Sequence, residues 1–316
     1  MTGAGLALGV DIGGTNIRAA LVSAEGALGE RVKFRTEAQR GPDAVIEDLA
    51  LRLRDLIAGA PHPVAAVGVG CPGPLSSATG VVHEAPNLPG WTEIPLGPRL
   101  SEALGLPVQV HNDANAATWG EFWLGAGREA HTIVMYTLGT GVGGGLVIDG
   151  RLWTGPDDTA GELGHICIIP EGRPCGCGAR GCLEAHASAT NVAARAREAL
   201  EAGRESSLRK YLIQELTAHK VDHEADAGDP LSIEILEETG VFLGLAAAAM
   251  VNALNPDLLI YGGGMCRADR WLFPQIERVV RERCFDAPAV RVRIVPAALG
   301  DDAGIIGAAG LALRGR

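Results

Sequence analysis

Neither a basic stripe nor an apolar run of membrane length is found in this 316-residue chain, and its start does not suggest a leader. Its Lys and Arg residues are scattered and the formal net charge is -11, so nothing in it tracks a nucleic-acid backbone and no nucleic-acid partner is expected. Met1–Val10 carries no positive region and does not read as a secretory signal. The most apolar stretch, Gly244–Val251, is mostly alanine and far shorter than the roughly 20 residues a bilayer-spanning helix needs, which excludes a membrane role. A cytoplasmic location follows, where thiols stay reduced, so the seven cysteines are no disulfide framework. No fixed short period runs along the chain, which excludes a solenoid.

What the chain does have is an ordinary enzyme composition, with 47% hydrophobic and 21% charged residues, and enough length for two α/β lobes. Its 44 glycines cluster beside Asp and Thr, a pattern that lets a ligand approach bare backbone. Leu6–Val10 and Ile17–Val22 read as a hairpin, and a second hairpin of Ile133–Leu138 and Gly145–Ile148 repeats the plan. Asp43–Ala60 places Val45, Ile46, Leu49, Leu53, Leu56 and Ile57 at helical spacing. Val64–Val69, Val108–His111, Leu258–Tyr261 and Val290–Val295 read as strands. Helices are expected after Asn112-Asp113 to about Leu124, over Ala187 to about Leu216, over about Leu231–Leu254 and over Gly304–Arg314, with His219–Asp229 a polar divider. The repeated hairpin suggests two related lobes meeting near residue 113, with no Pro- or Ser-rich linker there.

The tips of the two hairpins carry the first chemical signal. In Asp11-Ile12-Gly13-Gly14-Thr15-Asn16, the glycines free N–H groups to face an anion and Thr15 adds a donor. Asp11 would repel phosphate and serves better as a holder of hydrated Mg2+. An ordinary hairpin turn is the plainer alternative. Gly139-x-Gly141-x-x-Gly144 matches the dinucleotide fingerprint, but the alternating Gly145–Asp149 segment that follows reads as a strand, and that fingerprint needs a helix. Gly139, Thr140 and Gly141 instead form a second Gly/Thr tip, and two such tips can grip a polyphosphate. Gly262-Gly263-Gly264, after a strand, is either a tight connection or a bare surface for a nucleobase. Asp113, at a strand end, is either a helix cap or a general base.

The strongest signal is His165-x₉-Cys175-x-Cys177-x₄-Cys182. Three thiols and an imidazole close a tetrahedral structural zinc site with no position left for water, and Gly176, Gly178 and Gly181 let so short a loop present the sulfurs. Free thiols beside a core histidine are the alternative. Cys71, Cys167, Cys266 and Cys284 stand apart and read as small packing residues. Glu162 and Glu184 flank the ligands, and a rigid loop would fix both carboxylates where they could hold sugar hydroxyls; solvated surface glutamates are the plainer reading.

Gly161-Glu162-Leu163-Gly164-His165, the run Cys175-Gly-Cys177-Gly-Ala-Arg-Gly181-Cys182-Leu-Glu184 and the three glycine turns together resemble the ROK family, and within it the bacterial ATP-dependent glucokinases. The likeness runs from about Leu8 to Leu313. It implies a two-lobed actin-like ATPase/hexokinase (ribonuclease H-like) α/β fold with a structural zinc loop and the active site in the cleft between lobes. Residues 1–113, completed by the C-terminal helix 302–316, would form the small lobe, and 114–301 the large one. Carried over by position, Asp113 is the base acting on the sugar 6-hydroxyl. Gly73, Asn87, Asn112, Glu162, His165 and Glu184 hold the sugar, His165 using one ring nitrogen for zinc and the other for sugar. Asp11, Gly13, Gly14, Thr15, Asn16, Gly139, Thr140, Gly141 and Gly262–Gly264 bind ATP with its Mg2+. The Asn87 segment is closer to glucokinase than to fructokinase members, whereas Asp157 and Asp158 stand where the family has small residues. Glucose is the expected substrate, with N-acetylmannosamine, N-acetylglucosamine, fructose or mannose as alternatives, and the resemblance implies a homodimer or homotetramer. Family members that are sugar-sensing regulators carry a DNA-binding domain before the kinase-like part, for which a first turn at Asp11 leaves no room.

Overall fold

The computed structural model describes residues 5–314. Its first sheet opens on the N-terminal hairpin, β1 (Leu6–Ile12) and β2 (Asn16–Val22), extended by β3 (Leu28–Arg35). Helix α1 (Gly41–Ala58) returns the chain to β4 (Val64–Cys71), which runs parallel to β1. A small sheet of β5 (Leu75–Ser76), β6 (Val81–Glu84) and β7 (Thr92–Ile94) follows, then α2 (Leu96–Leu104), β8 (Val108–Asn112) parallel to β4, and α3 (Asp113–Leu124). The sheet order is β3-β2-β1-β4-β8. Further along come β9 (Ile133–Leu138), β10 (Val142–Ile148) and β11 (Arg151–Leu152), then α4 (Leu183–Ala187), α5 (Ala189–Glu201), α6 (Ala218–Asp226) and α7 (Pro230–Leu254). The chain ends with β12 (Leu258–Gly262), α8 (Asp269–Arg283), α9 (Asp286–Arg291), β13 (Arg293–Pro296) and α10 (Ala303–Arg314). The second sheet has the order β11-β10-β9-β12-β13.

Two compact units result. The first takes the chain up to Ala130, Gly145–Gly161 and the chain from Ala298 on; the second takes His131–Gly144 and Glu162–Ala297. In the first, β1 and β4 are apolar on both faces because each face is covered. Leu8, Val10, Val67 and Val69 pack on one side with Leu49 and Leu53 of α1 and Leu100 of α2. On the other side α10 lies on the sheet so closely that a Cβ at Gly9 would meet the Ile305 carbonyl, and one at Gly68 the Ala308 carbonyl. Only glycine permits that approach of a helix backbone to a strand. In the second unit, β9, β12 and β13 run parallel. Helix α7 presses on α8 through Gly240 and Gly244, where a Cβ would sit 2.7 Å from the Leu272 carbonyl oxygen and 2.7 Å from the Val279 Cβ. Among the described residues no helix is long and apolar enough to cross a membrane.

Three expected elements come out differently, and β3, α2 and α8 were not expected. The expected helix over 187–216 is broken: Ser188 caps α5 by accepting from the Asn191 N–H, and α5 ends at Glu201, just before Gly203 at φ 87°. The supposed polar divider 219–229 is mostly helix, because Thr217 caps α6 through the Lys220 N–H and turns Val221 and Ala225 inward. The strand expected over 290–295 begins only at Arg293, since 286–291 is helical.

Candidate active site

In the first unit the candidate residues gather where strands end. Asp11 pairs with Gly70, and Cys71 with Asn112, so Asp11, Cys71 and Asn112-Asp113 fall at the carboxyl ends of three adjacent parallel strands. This edge of an α/β sheet is where ligands bind. The cap of α3 is Asn112, not Asp113. The Asn112 side chain is the cap of α3, accepting from Ala114 N–H at 3.0 Å and Asn115 N–H at 3.2 Å, and it donates to the Gly73 carbonyl at 3.5 Å. Asp113 is the first helical residue, with its Oδ1 2.8 Å from the Ala114 nitrogen. The Ala114 N–H is thus shared between the Asn112 and Asp113 side chains. Gly73 has φ 88°, and a Cβ there would collide with the Glu84 carbonyl.

The first tip is closed by the Gly13 N–H donating to Asn16 O at 3.0 Å, and Thr36 holds it from below, donating to Gly13 O at 2.6 Å and Thr15 O at 3.0 Å. Gly14 and Thr15 are exposed. A Cβ on Gly14 would lie 3.1 Å from the Asn87 Cβ, so the tip and the Asn87 loop adjoin. Burial pushes the Asp11 carboxyl above the usual range, Arg18 pulls it back, and Asp301 adds to the rise. A buried carboxylate beside a second acidic group suits a divalent cation, which would neutralise both. Burial, then the charges of Asp113 and Asp11, push the Cys71 thiol far up, so this buried cysteine stays an inert packing residue below the two carboxylates.

A feature invisible in sequence lies in the loop before Glu162. Asp158 sits in the left-handed region at φ 55°, where glycine is at ease. Its carboxylate accepts from the Ser77 N–H, the Ser77 hydroxyl and the Thr154 hydroxyl, each at 2.8 Å. The position is strained for a side chain but the side chain is put to use, tying the loop to the segment that follows Gly73.

The second unit holds the metal candidates and the second tip. His165, Cys175, Cys177 and Cys182 bring their ligand atoms within 4.8 Å of one another. The Cys177–Cys182 sulfurs are 3.7 Å apart, and Cys175 Sγ lies 3.6 Å from His165 Nδ1. Bonds of about 2.3 Å to a tetrahedral zinc put sulfurs roughly 3.8 Å apart, so the cluster fits the ion. With Nδ1 turned to the thiols, the other ring nitrogen of His165 points to Glu162, whose Oε2 is 4.0 Å away. Cys167, expected to be a packing residue, is instead exposed and bridges the strand-like backbone of Cys182.

Glu184, two residues past the last thiol, accepts from the Val142 N–H at 2.9 Å. That nitrogen belongs to the second tip, and β10 starts there, so no helix follows Gly139-x-Gly141. Gly263 has φ 93° and packs on Leu138, where any Cβ would collide with the backbone. Beside it is a cavity of about 360 Å3, lined among others by Gly139, Thr140, Ala189, Asp222, Gly264 and Arg267. Sequence reading missed the α6 wall of this cavity; the Thr217 cap followed by Val221 and Ala225 at helical spacing was the available signal. Glu184, the second tip and Gly263–Gly264 thus lie together beside the cavity, with the zinc loop joining them two residues before Glu184.

Known proteins resemble this chain along nearly its whole length. The chain is 38% identical over 308 residues to a glucokinase of Halalkalibacterium halodurans, covering 95% of this chain and 92% of that one. It is 37% identical over 306 residues to a glucokinase of Thermotoga maritima, covering 96% of each. A solved ROK family glucokinase from Streptomyces griseus, in complex with glucose and AMPPNP, superposes with a TM-score of 0.83 at 31% identity, over 98% of this chain and 100% of that one. This is the mixed α/β, two-sheet fold of ROK glucokinases. With the sequence model of the ROK family matching residues 7–315, and relatives this similar along nearly their whole length, the chain belongs to the ROK family.

Proposed function

We propose that this chain is an ATP-dependent hexose kinase that phosphorylates glucose at the 6-hydroxyl, with Asp113 as general base. Asp113 takes the hydroxyl proton as the oxygen bonds to the γ-phosphorus, and the bond from that phosphorus to the β,γ-bridging oxygen breaks, releasing ADP. The observation that carries the reading is the place of Asp113, the first residue of α3 at the carboxyl ends of three adjacent parallel strands, on the same sheet edge as Asp11. Gly73, Asn87, Asn112, Glu162, His165 and Glu184 bind and orient the sugar. Gly13, Gly14, Thr15 and Asn16, with Gly139, Thr140 and Gly141, line the phosphates; the Gly13 and Gly139 N–H groups close their own turns on Asn16 O and Gly141 O, each at 3.0 Å, and Gly262–Gly264 with the neighbouring cavity take the adenosine. Asp11 would hold Mg2+ with the nucleotide, and that ion would supply charge neutralisation at the transferring phosphoryl group. The zinc at His165, Cys175, Cys177 and Cys182 would be structural, since four protein ligands leave it no open position.

Asp113→Asn keeps size and shape but removes the base. Turnover should fall about 10²- to 10⁴-fold with glucose binding retained, and near-normal turnover would remove Asp113 from the mechanism. A panel of glucose, mannose, fructose, N-acetylmannosamine and N-acetylglucosamine, each with ATP or polyphosphate, tests the substrate. Phosphorylation of another hexose with none of glucose would move the reading to that sugar.

A further inference from the structure

Glu184 was singled out for the sugar, yet its carboxylate is already engaged with the other substrate's turn. Its Oε2 accepts from the Val142 N–H at 2.9 Å, and a Cβ on Gly141 would run into the same oxygen. Two more bonds hold the tip from the same short stretch. Ala189 N–H donates to Gly139 O at 2.9 Å, and the Thr190 hydroxyl donates to Thr140 O at 2.8 Å. Glu184 is itself fixed, since its carbonyl accepts from Asn191 Nδ2 at 3.0 Å and from the Ser188 N–H at 3.2 Å. Residues 184–191 therefore grip the peptides of 139–142 at three points.

We infer that Glu184 is a positioning residue for the second phosphate turn, so that nucleotide affinity depends on it even when no sugar is bound. A Gly-Thr-Gly turn has more backbone freedom to lose than a turn without glycine, and a ligand that must order it binds more weakly. Fixing Gly139, Thr140 and Val142 beforehand removes that cost and keeps the turn's remaining N–H groups aimed outward. The Val142 N–H partly offsets the charge that the carboxylate brings near a polyphosphate. The inference rests on the reading of Gly139–Gly141 as a phosphate turn. It gives one residue a part in both substrate sites, and links the zinc loop, which ends two residues earlier at Cys182, to the nucleotide.

The test is the dissociation constant of Mg-AMPPNP by titration calorimetry with no sugar present, on the full chain. Glu184→Ala should weaken binding about tenfold, the worth of one lost hydrogen bond to a charged group. Glu184→Gln, which still presents an oxygen to Val142, should stay within about threefold of the parent. Thr190→Val, eight residues from the nearest predicted metal ligand, should weaken binding about threefold. Glucose affinity is measured on the same variants. An unchanged nucleotide affinity in Glu184→Ala with weakened glucose binding overturns the inference and leaves a plain sugar contact. Weakened nucleotide binding with unchanged glucose affinity sustains the inference and removes Glu184 from the sugar site. Zinc content and near-ultraviolet dichroism check folding, and if Glu184→Ala does not fold, an unchanged nucleotide affinity in Thr190→Val is enough to overturn the proposal.

Discussion

Burial works against the charged form of Asp11. Its folded-state pKa lies above the ordinary carboxylate value, from burial first and Asp301 after the opposing pull of Arg18. The sign follows from proton counting: between the two pKa values the folded chain holds more protons than the unfolded one, so stability falls as pH rises through that window and the full penalty stands at neutrality. Asp11→Asn should therefore raise the melting temperature at pH 7, with the gain shrinking as pH falls toward 4, while Mg-nucleotide stabilises the variant much less than the parent. Scanning calorimetry across that range checks it, and a melting temperature lowered at pH 7 would contradict it. Asp158 makes the opposite case, a strained residue whose side chain offsets the strain. Asp158→Gly relieves the left-handed backbone but leaves the Ser77 N–H and the Ser77 and Thr154 hydroxyls without their acceptor, so a net loss of about 1–2 kcal/mol is expected in urea unfolding. A gain in stability would show the clasp to be idle. Sequence pointed to Asp11, Asn112, Asp113 and the four metal ligands, because each announces itself by residue type and spacing. It could not reveal Asp158, whose partner Ser77 is remote in sequence, nor tell which of Asn112 and Asp113 was the cap.

Among elements, α3 carries the most. It begins at Asp113 and is held in place further along by Glu121, whose side chain is fully buried. That carboxylate accepts from the Ala126 N–H at 2.9 Å, the Ala298 N–H at 3.0 Å and the Leu299 N–H at 2.7 Å. Three backbone donors, two on half-buried residues and one on an exposed residue, share one buried acid, and they fix both the turn after α3 and the lead into α10. Glu121→Ala orphans all three and should cost about 3 kcal/mol or more, seen as a melting temperature lowered by several degrees. Glu121→Gln, which keeps one acceptor oxygen, should lose less, and equal losses would mean that the packing of the side chain matters more than its bonds. Strands and helices with a strong apolar period, such as β1, β4, α1 and α7, were legible because burial alone fixes them. Those set by caps were not. The break between α4 and α5 depends on the Ser188 cap, and α6 on Thr217; single polar residues there decide what an Ala- and Glu-rich sequence leaves open.

At the scale of the whole molecule, the two units are drawn from alternating stretches, so the chain passes from one to the other at Ala130, Gly144, Gly161 and Ala297. No composition shift marks such crossings, which is why sequence suggested two lobes from a repeated hairpin without showing that Gly145–Gly161 belongs with the N-terminal sheet. The metal cluster lies wholly in the second unit. Small zinc modules unfold without their ion because they have no other core. This unit has one, built on the buried strands β9 and β12 and the length of α7, so loss of zinc should not unfold it. Extraction with a strong chelator should instead lower the melting temperature and release protection from hydrogen exchange over residues 165–184. If Glu184 transmits the position of the loop, protection should also fall over 139–142, while β12 and the strands of the first unit keep theirs. Retained protection at 139–142 would confine the role of zinc to the sugar side. Protection lost throughout the chain would mean that the ion supports the fold as a whole, and a protein that binds no zinc at all would leave the four ligands as free thiols beside a histidine.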